Sequence, residues 1–227
     1  MLTVTEALKR RISTREFLSR PLGEQLLRDI LAVARWSPSG GNLQPWTVIA
    51  VAGPDLAAVI ELARRTHAAS GPDESIERPV YPPDLWEPYR SRRFKLGEDM
   101  YALLQIPRSD RAARLARFER NYEMFGAPVE LFFIIDDRMG HCQWAHLGMF
   151  MQSIALAALE RGVSSCMQEA WATLRSSLKK HFALAEHDFL YCGMALGYSD
   201  ESAAVNSLRS DRAPVEEFAT FRGFEQR

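Results

Sequence analysis

Cysteine is scarce in this 227-residue chain: Cys142, Cys166 and Cys192 are widely spaced and odd in number. They supply neither a disulfide framework nor a paired metal-ligand motif, and they read as buried, reduced thiols. Five histidines, His67, His141, His146, His181 and His187, show no HExxH or other ligand spacing, so metal catalysis has no support. An excess of one charge is also missing. Lys and Arg number 28 against 29 Asp and Glu, a formal charge of -1, which leaves no basic field to hold a nucleic-acid backbone. No apolar run spans a bilayer: the most apolar helical stretch, Trp144 to Leu159, is short and is interrupted by His146 and Gln152. The opening residues Met1 to Glu6 lack the charged-then-apolar order of a secretory leader. A cytoplasmic protein without membrane or nucleic-acid partners is the expectation. No GxGxxG follows a strand, and neither a P-loop nor a GxSxG elbow occurs, so Rossmann, P-loop and serine-hydrolase chemistries drop out.

What is present is an ordinary globular balance, 47% hydrophobic and 25% charged. The apolar spacing predicts helices over Val4 to Arg10, Leu22 to Ala34 and from Pro54 onward, with Leu56, Val59, Ile60 and Ala63 on one face. Trp46 to Ala52 reads as a buried strand rich in β-branched residues. Ser70 to Pro88, rich in proline and acid, reads as the start of an excursion reaching to about residue 104. Two polar helices follow, near Tyr89 to Leu104 and Arg108 to Phe125, the second arginine-rich and solvent-facing. Val129 to Ile135 is apolar throughout and suits a strand covered on both faces. His141 to Arg161 is expected as a central helix. A strand at Val163 to Met167, a helix from Trp171 to Phe182 and a strand from Phe189 to Leu196 complete the series. The tail from Ala203 to Arg227 is too polar for a core of its own and is expected to cross a neighbouring subunit or return to the sheet edge. This order, without a clean βαβ rhythm, indicates one α+β or α/β domain over residues 1–227 with a sheet between helices.

Four segments could carry chemistry. Lys9 to Arg15 offers Arg11 and Arg15 as a fork for a phosphate and Ser13 as a hydroxyl donor, or else is a solvated basic surface. Pro38-Ser39-Gly40-Gly41-Asn42-Leu43-Gln44-Pro45-Trp46 has a glycine pair that lets main chain approach a flat ligand, or else is a turn entering a strand. Gly162 to Ala170 lies where a strand gives way to a helix; Cys166 there could be a reactive thiol, but a small apolar packing residue explains it as well. Asn206 to Pro214 adds Arg209 and Arg212 outside any amphipathic pattern. A terminal phosphate carries about -1.5 to -2 charge, more than one arginine neutralises.

Taken in order, these segments resemble the nitroreductase flavoprotein family. Asn121-Tyr122 through Gly126-Ala127-Pro128, Gly148-Met149-Phe150-Met151-Gln152 and Gly193-Met194-Ala195-Leu196-Gly197-Tyr198 are similar to its branch with nitrobenzoate reductases. The resemblance implies an α+β fold with a mostly antiparallel sheet and an intertwined homodimer, each FMN lying at the subunit interface. By that likeness Arg11, Ser13 and Arg15 hold the phosphate, ribityl chain and N1/O2 edge, with Ile12 contributing backbone. Pro38, Ser39, Gly40, Gly41 and Asn42 of one subunit contact the ring held by the other. Met167, Gln168 and Glu169 lie near N5, and Arg212, with Arg209, closes on the phosphate. His146 stands where an acidic residue is expected. Arg92 or Arg93 is a guess for the ring-edge residue supplied by the excursion. The implied activity is NAD(P)H-driven reduction of nitroaromatic or similar small aromatic or quinone acceptors by a ping-pong cycle, with no obligatory catalytic side chain. Flavin, enone or quinone reduction on the same scaffold, or flavin binding without catalysis, are the alternatives.

Overall fold

A computed structural model describes residues 2–70 and 79–224. Helix α1 (Val4–Arg10) opens on a capping box: Thr3 Oγ1 accepts from the Glu6 amide at 3.2 Å, and the Thr3 amide donates to the Glu6 carboxylate at 2.8 Å. Helix α2 (Glu24–Ala34) buries Leu27, Ile30 and Ala34, three positions on one helical face. Helix α6 (His141–Glu160) is apolar nearly all round and buries Leu147, Phe150, Met151 and Ile154, with Met149 exposed between them.

Five strands form the sheet: β1 (Phe17–Leu18), β2 (Thr47–Ala52), β3 (Val129–Asp136), β4 (Ser164–Gln168) and β5 (Asp188–Ser199). The long β5 organises them. One of its sides pairs with β3, and the other pairs first with β4 and then with β1; β2 lies outside β3. Every one of these pairings is antiparallel. Alternate residues of β3 point into two apolar layers. Leu131, Phe133 and Ile135 face α2 and α6, whereas Phe132 faces Trp171, Val59 of α3 (Gly53–Ser70) and Leu178 of α7 (Arg175–His181). Burial on both faces is why the β3 sequence shows no polar alternation. The class is α+β, with the sheet between two helical layers.

Several expectations are corrected. The strand expected over Trp46 to Ala52 starts at Thr47 and is not buried; as the edge strand it buries only Val51, and Trp46 instead stacks on Phe150 at 4.5 Å. Arg108 to Phe125 is not one helix. Helix α4 (Tyr89–Leu103) is followed by α5 (Arg111–Glu119) and a separate 3-10 segment, Arg120–Gly126, in which Met124 and Phe125 take left-handed φ of 51° and 54° and bury their side chains. Nor is α5 simply solvent-facing: the Arg114 and Arg117 side chains are 18% and 10% exposed. The helix expected from Trp171 likewise splits into a 3-10 segment, Glu169–Leu174, and α7. Cys142 is exposed, in the first turn of α6, while Cys166 and Cys192 are buried and all three are free. The strand expected over Val163 to Met167 is Ser164–Gln168, and the last strand runs on to Ser199. Within the expected excursion, residues 71–78 lie outside the described residues, as does the end of the tail, 225–227. No helix among the described residues is long and apolar enough to cross a membrane.

Candidate active site

Where α1 ends, Arg11 turns to extended backbone, and the chain runs along the free edge of β4. The Thr14 amide donates to the Ser165 carbonyl at 3.0 Å, and Ser13 bridges Ser165 in parallel. The sheet edge thereby fixes residues 11–15. A second fixture comes from the tail. Asn206 Oδ1 accepts from the Arg15 amide at 2.8 Å, and its Nδ2 donates to the Glu16 carbonyl at 2.8 Å and the Asp200 carbonyl at 2.8 Å. A third lies beneath: Arg117 Nη2 donates to the Arg15 carbonyl at 2.7 Å. Sequence reading missed Asn206 and Arg117 as supports, because nothing local marks either.

The result is a cavity of about 340 Å³. Arg11, Ile12, Ser13 and Arg15 from the first segment and Arg209 and Arg212 from the tail all line it. Six of the expected cofactor residues, from segments nearly 200 positions apart, therefore share one wall. Leu8, Lys9, Leu96 of α4, Leu208 and Ser210 complete it. Adjoining hollows of about 460 Å³ and 450 Å³ share Arg11 and Arg209 on one side and Leu96, Ser210 and Arg212 on the other, so the cavity is part of a trough.

Its electrostatics are one-sided. Among the described residues, none of Arg11, Arg15, Arg209 and Arg212 forms an ion pair. Burial, and then the like charge of Arg212, hold the Arg11 guanidinium below its usual pKa. Arg212 Nη1 is held by the Ser210 carbonyl and hydroxyl and the Asp211 carbonyl, at 2.6 to 2.9 Å. Clustered cations without carboxylates define an anion site, and the phosphate end of FMN fits that donor set.

The other expected residues lie outside this cavity's lining. Pro38, Gly40, Gly41 and Asn42 are exposed and Ser39 half-buried, on a loop against α6. Gly41 at φ 61° and Asn42 at φ 55° take the left-handed conformation these residue types accommodate best. His146 meets the loop here: its Nδ1 lies 3.4 Å from the Gly40 amide and 3.1 Å from Gln143 Oε1, and a Cβ added to Gly40 would come 3.1 Å from the imidazole. Met167 is half-buried in β4, and Gln168 is buried with Nε2 donating to the Asn121 carbonyl at 2.6 Å. Glu169 sits at the surface, yet burial of its carboxyl raises that pKa. Cys166, fully buried, has its thiol pushed up to about 11 by desolvation and is no nucleophile at neutral pH. Of the excursion arginines, Arg92 pairs with Glu217 at 2.5 Å and Arg93 lies over the Tyr81 ring at 4.1 Å.

Comparison with known proteins agrees with this geometry. Residues 8–198 match the model of the Nitroreductase family. The 4-nitrobenzoate reductase of Pseudomonas putida is 37% identical over 216 residues, 95% of this chain and 94% of that one. The nitrobenzene nitroreductase of Ectopseudomonas oleovorans is 32% identical, covering 96% of each. Among solved structures, the FMN and NADPH-dependent nitroreductase NfnB of Sphigopyxis sp. strain HMH superposes with a TM-score of 0.94 at 40% identity, over 98% of this chain and 100% of that one. The FMN-dependent NfnB of Mycobacterium smegmatis, solved in complex with NADPH, gives 0.90 at 25% identity, over 96% and 97%. A mixed fold with an edge-mounted anion site is thus that of a flavoprotein-type oxidoreductase scaffold. The chain belongs to the nitroreductase family.

Proposed function

We propose that this protein is an FMN-dependent oxidoreductase that uses NAD(P)H to reduce nitroaromatic or similar small aromatic or quinone acceptors, in a ping-pong cycle. The observation that carries the reading is the cluster of Arg11, Arg15, Arg209 and Arg212 around one cavity without a counter-charge. Arg11 and Arg212 hold the phosphate, with Arg209 beside them and Ser13 donating a hydroxyl to the ribityl chain. Arg15 directs positive charge at the N1/O2 edge of the ring, where negative charge gathers on reduction. Met167, Gln168 and Glu169, two to four residues beyond the Ser13–Ser165 bridge, lie along the N5 edge. Bound flavin supplies hydride acceptance from the nicotinamide and electron delivery to the acceptor. The relatives named for 4-nitrobenzoate and nitrobenzene support an aromatic nitro group as the acceptor.

The active form is a homodimer in the cytoplasm, with Pro38 to Asn42 of one subunit facing the flavin of the other. That loop's exposure, together with exposed Trp36 and Leu43 beside it, supports a surface made to be covered. Exposed Phe218, Phe221 and Phe224 support the same role for the tail. The deciding experiment is an absorption spectrum of purified protein followed by anaerobic NAD(P)H titration. A flavin spectrum that bleaches and returns on adding 4-nitrobenzoate is expected; a colourless protein that takes up no FMN removes the proposal.

A further inference from the structure

Asp211 is the odd member of the tail segment. It stands between Ser210 and Arg212, in a stretch that otherwise presents cations to the cavity, and a carboxylate free there would oppose any anion. Its oxygen is instead engaged 2.9 Å from Lys95 Nζ on α4. Lys95 also holds Asp99, one helical turn along α4, at 2.6 Å. Two carboxylates raise the Lys95 pKa, Asp99 foremost. A second link joins the same two elements, Arg92 to Glu217. Both carboxylates that the tail lends to this hollow, Asp211 and Glu217, are thereby paired with α4 cations, while Arg212 itself folds back on the Ser210–Asp211 turn and keeps its charge for the cavity.

We propose that Lys95 is a positioning residue for the cofactor site: by sequestering Asp211 it lets the segment Leu208 to Arg212 offer its guanidinium groups, and not its carboxylate, to the phosphate of FMN. The inference rests on the cavity being the FMN site. It also gives the excursion helix a task in cofactor retention, since α4 reaches the trough through both Leu96 and Lys95. Lys95 and Asp211 are 58% and 73% exposed, so the effect is modest, as for exposed ion pairs in general.

The test is FMN affinity of the apoprotein, read by quenching of flavin fluorescence, for wild type, K95M, D211N and K95M/D211N. Freeing the carboxylate in K95M weakens FMN binding by about two- to fivefold. Removing it as well, in K95M/D211N, restores wild-type affinity, and D211N alone binds as wild type or slightly tighter. A mere mechanical tether predicts otherwise: D211N would weaken binding as K95M does, and the double variant would show no rescue. That pattern, or a K95M indistinguishable from wild type, overturns the proposal. Wild-type apoprotein that fails to bind FMN at all sinks the underlying site reading instead. Melting of the four apoproteins within a degree or two of one another, with K95Q as a second neutral variant, keeps any folding defect separate from the comparison.

Discussion

Two groups of arginines lie close together and do opposite things. Under the cavity, Arg117 and Arg120 meet Glu16, Arg120 also meets Glu123, and Arg114 meets Glu98 as a bidentate pair at 2.7 and 3.1 Å. At the cavity, Arg11, Arg15, Arg209 and Arg212 meet no carboxylate among the described residues. Of the paired set, Arg117 and Arg120 hold the Arg15–Glu16 stretch, which carries one of the unpaired cations, Arg15, with Arg11 close by in the chain. Side-chain chemistry is the same in both; what separates the two groups is whether the protein has already supplied the anion.

The sharpest way to break this distinction is to remove cations from each group. Replacing Arg11 and Arg212 together by alanine should weaken FMN binding by about a hundredfold or more, since each charge-assisted bond to phosphate contributes roughly 1.5–3 kcal/mol. Flavin-fluorescence titration checks it, and the melting point of the apoprotein should hold or rise, because like charges have been separated. A fall in apoprotein stability instead would place these arginines in the structural group. Arg117→Ala should do the reverse, costing about 2 kcal/mol in denaturant unfolding of the apoprotein through loss of its bonds to Glu16 and the Arg15 carbonyl. Retention of stability there would erase the contrast.

Glu130 sharpens the comparison from the acid side. It is fully buried on β3 with no ion pair among the described residues, its Oε1 accepts from Trp171 Nε1 at 3.1 Å, and desolvation raises its pKa well above 4.5. Here burial favours the protonated carboxyl. Folded protein keeps that proton above pH 4.5 while the unfolded chain gives it up, so this group makes stability fall as pH rises from about the unfolded value. Glu130→Gln should flatten that fall in pH-dependent denaturation curves; an unchanged slope means the carboxyl is ionised in the fold. The packing leaves little slack, since a Cβ on Gly193 would come 2.0 Å from Glu130 Oε1. The smallest effect belongs to fully solvated pairs. Breaking Arg28–Glu24, 68% and 74% exposed, by Glu24→Ala should change stability by no more than about 0.5 kcal/mol and leave FMN binding alone.

How much of this was legible in the residue order follows from what is local. Helices α1, α2 and α6 and the doubly covered β3 could be read because their periodicity or its absence records burial directly. The two-residue β1 is too short to carry a period, and β2 has the same β-branched composition whether it lies at an edge or in the middle. The break after Glu119 has no glycine or proline to announce it; Met124 and Phe125 accept left-handed backbone because their side chains are buried. That Arg11, Ser13, Arg15, Arg209 and Arg212 gather at one cavity was legible through resemblance, and for Arg209 and Arg212 also through their lack of amphipathic order. That Arg117 is a support was not, because its partner Glu16 lies 101 positions away. Nor did Lys95 announce its bond to Asp211, which only the folded path of α4 creates.

Asn206 ties the Arg15–Glu16 backbone to a turn formed 191 positions later in the chain. On the ribosome, Arg15 must therefore wait for 191 further positions to emerge before this anchor arrives. Until then a nascent fragment carries Arg11 and Arg15 on a stretch that Asn206 has not yet anchored, and it still lacks Arg209 and Arg212.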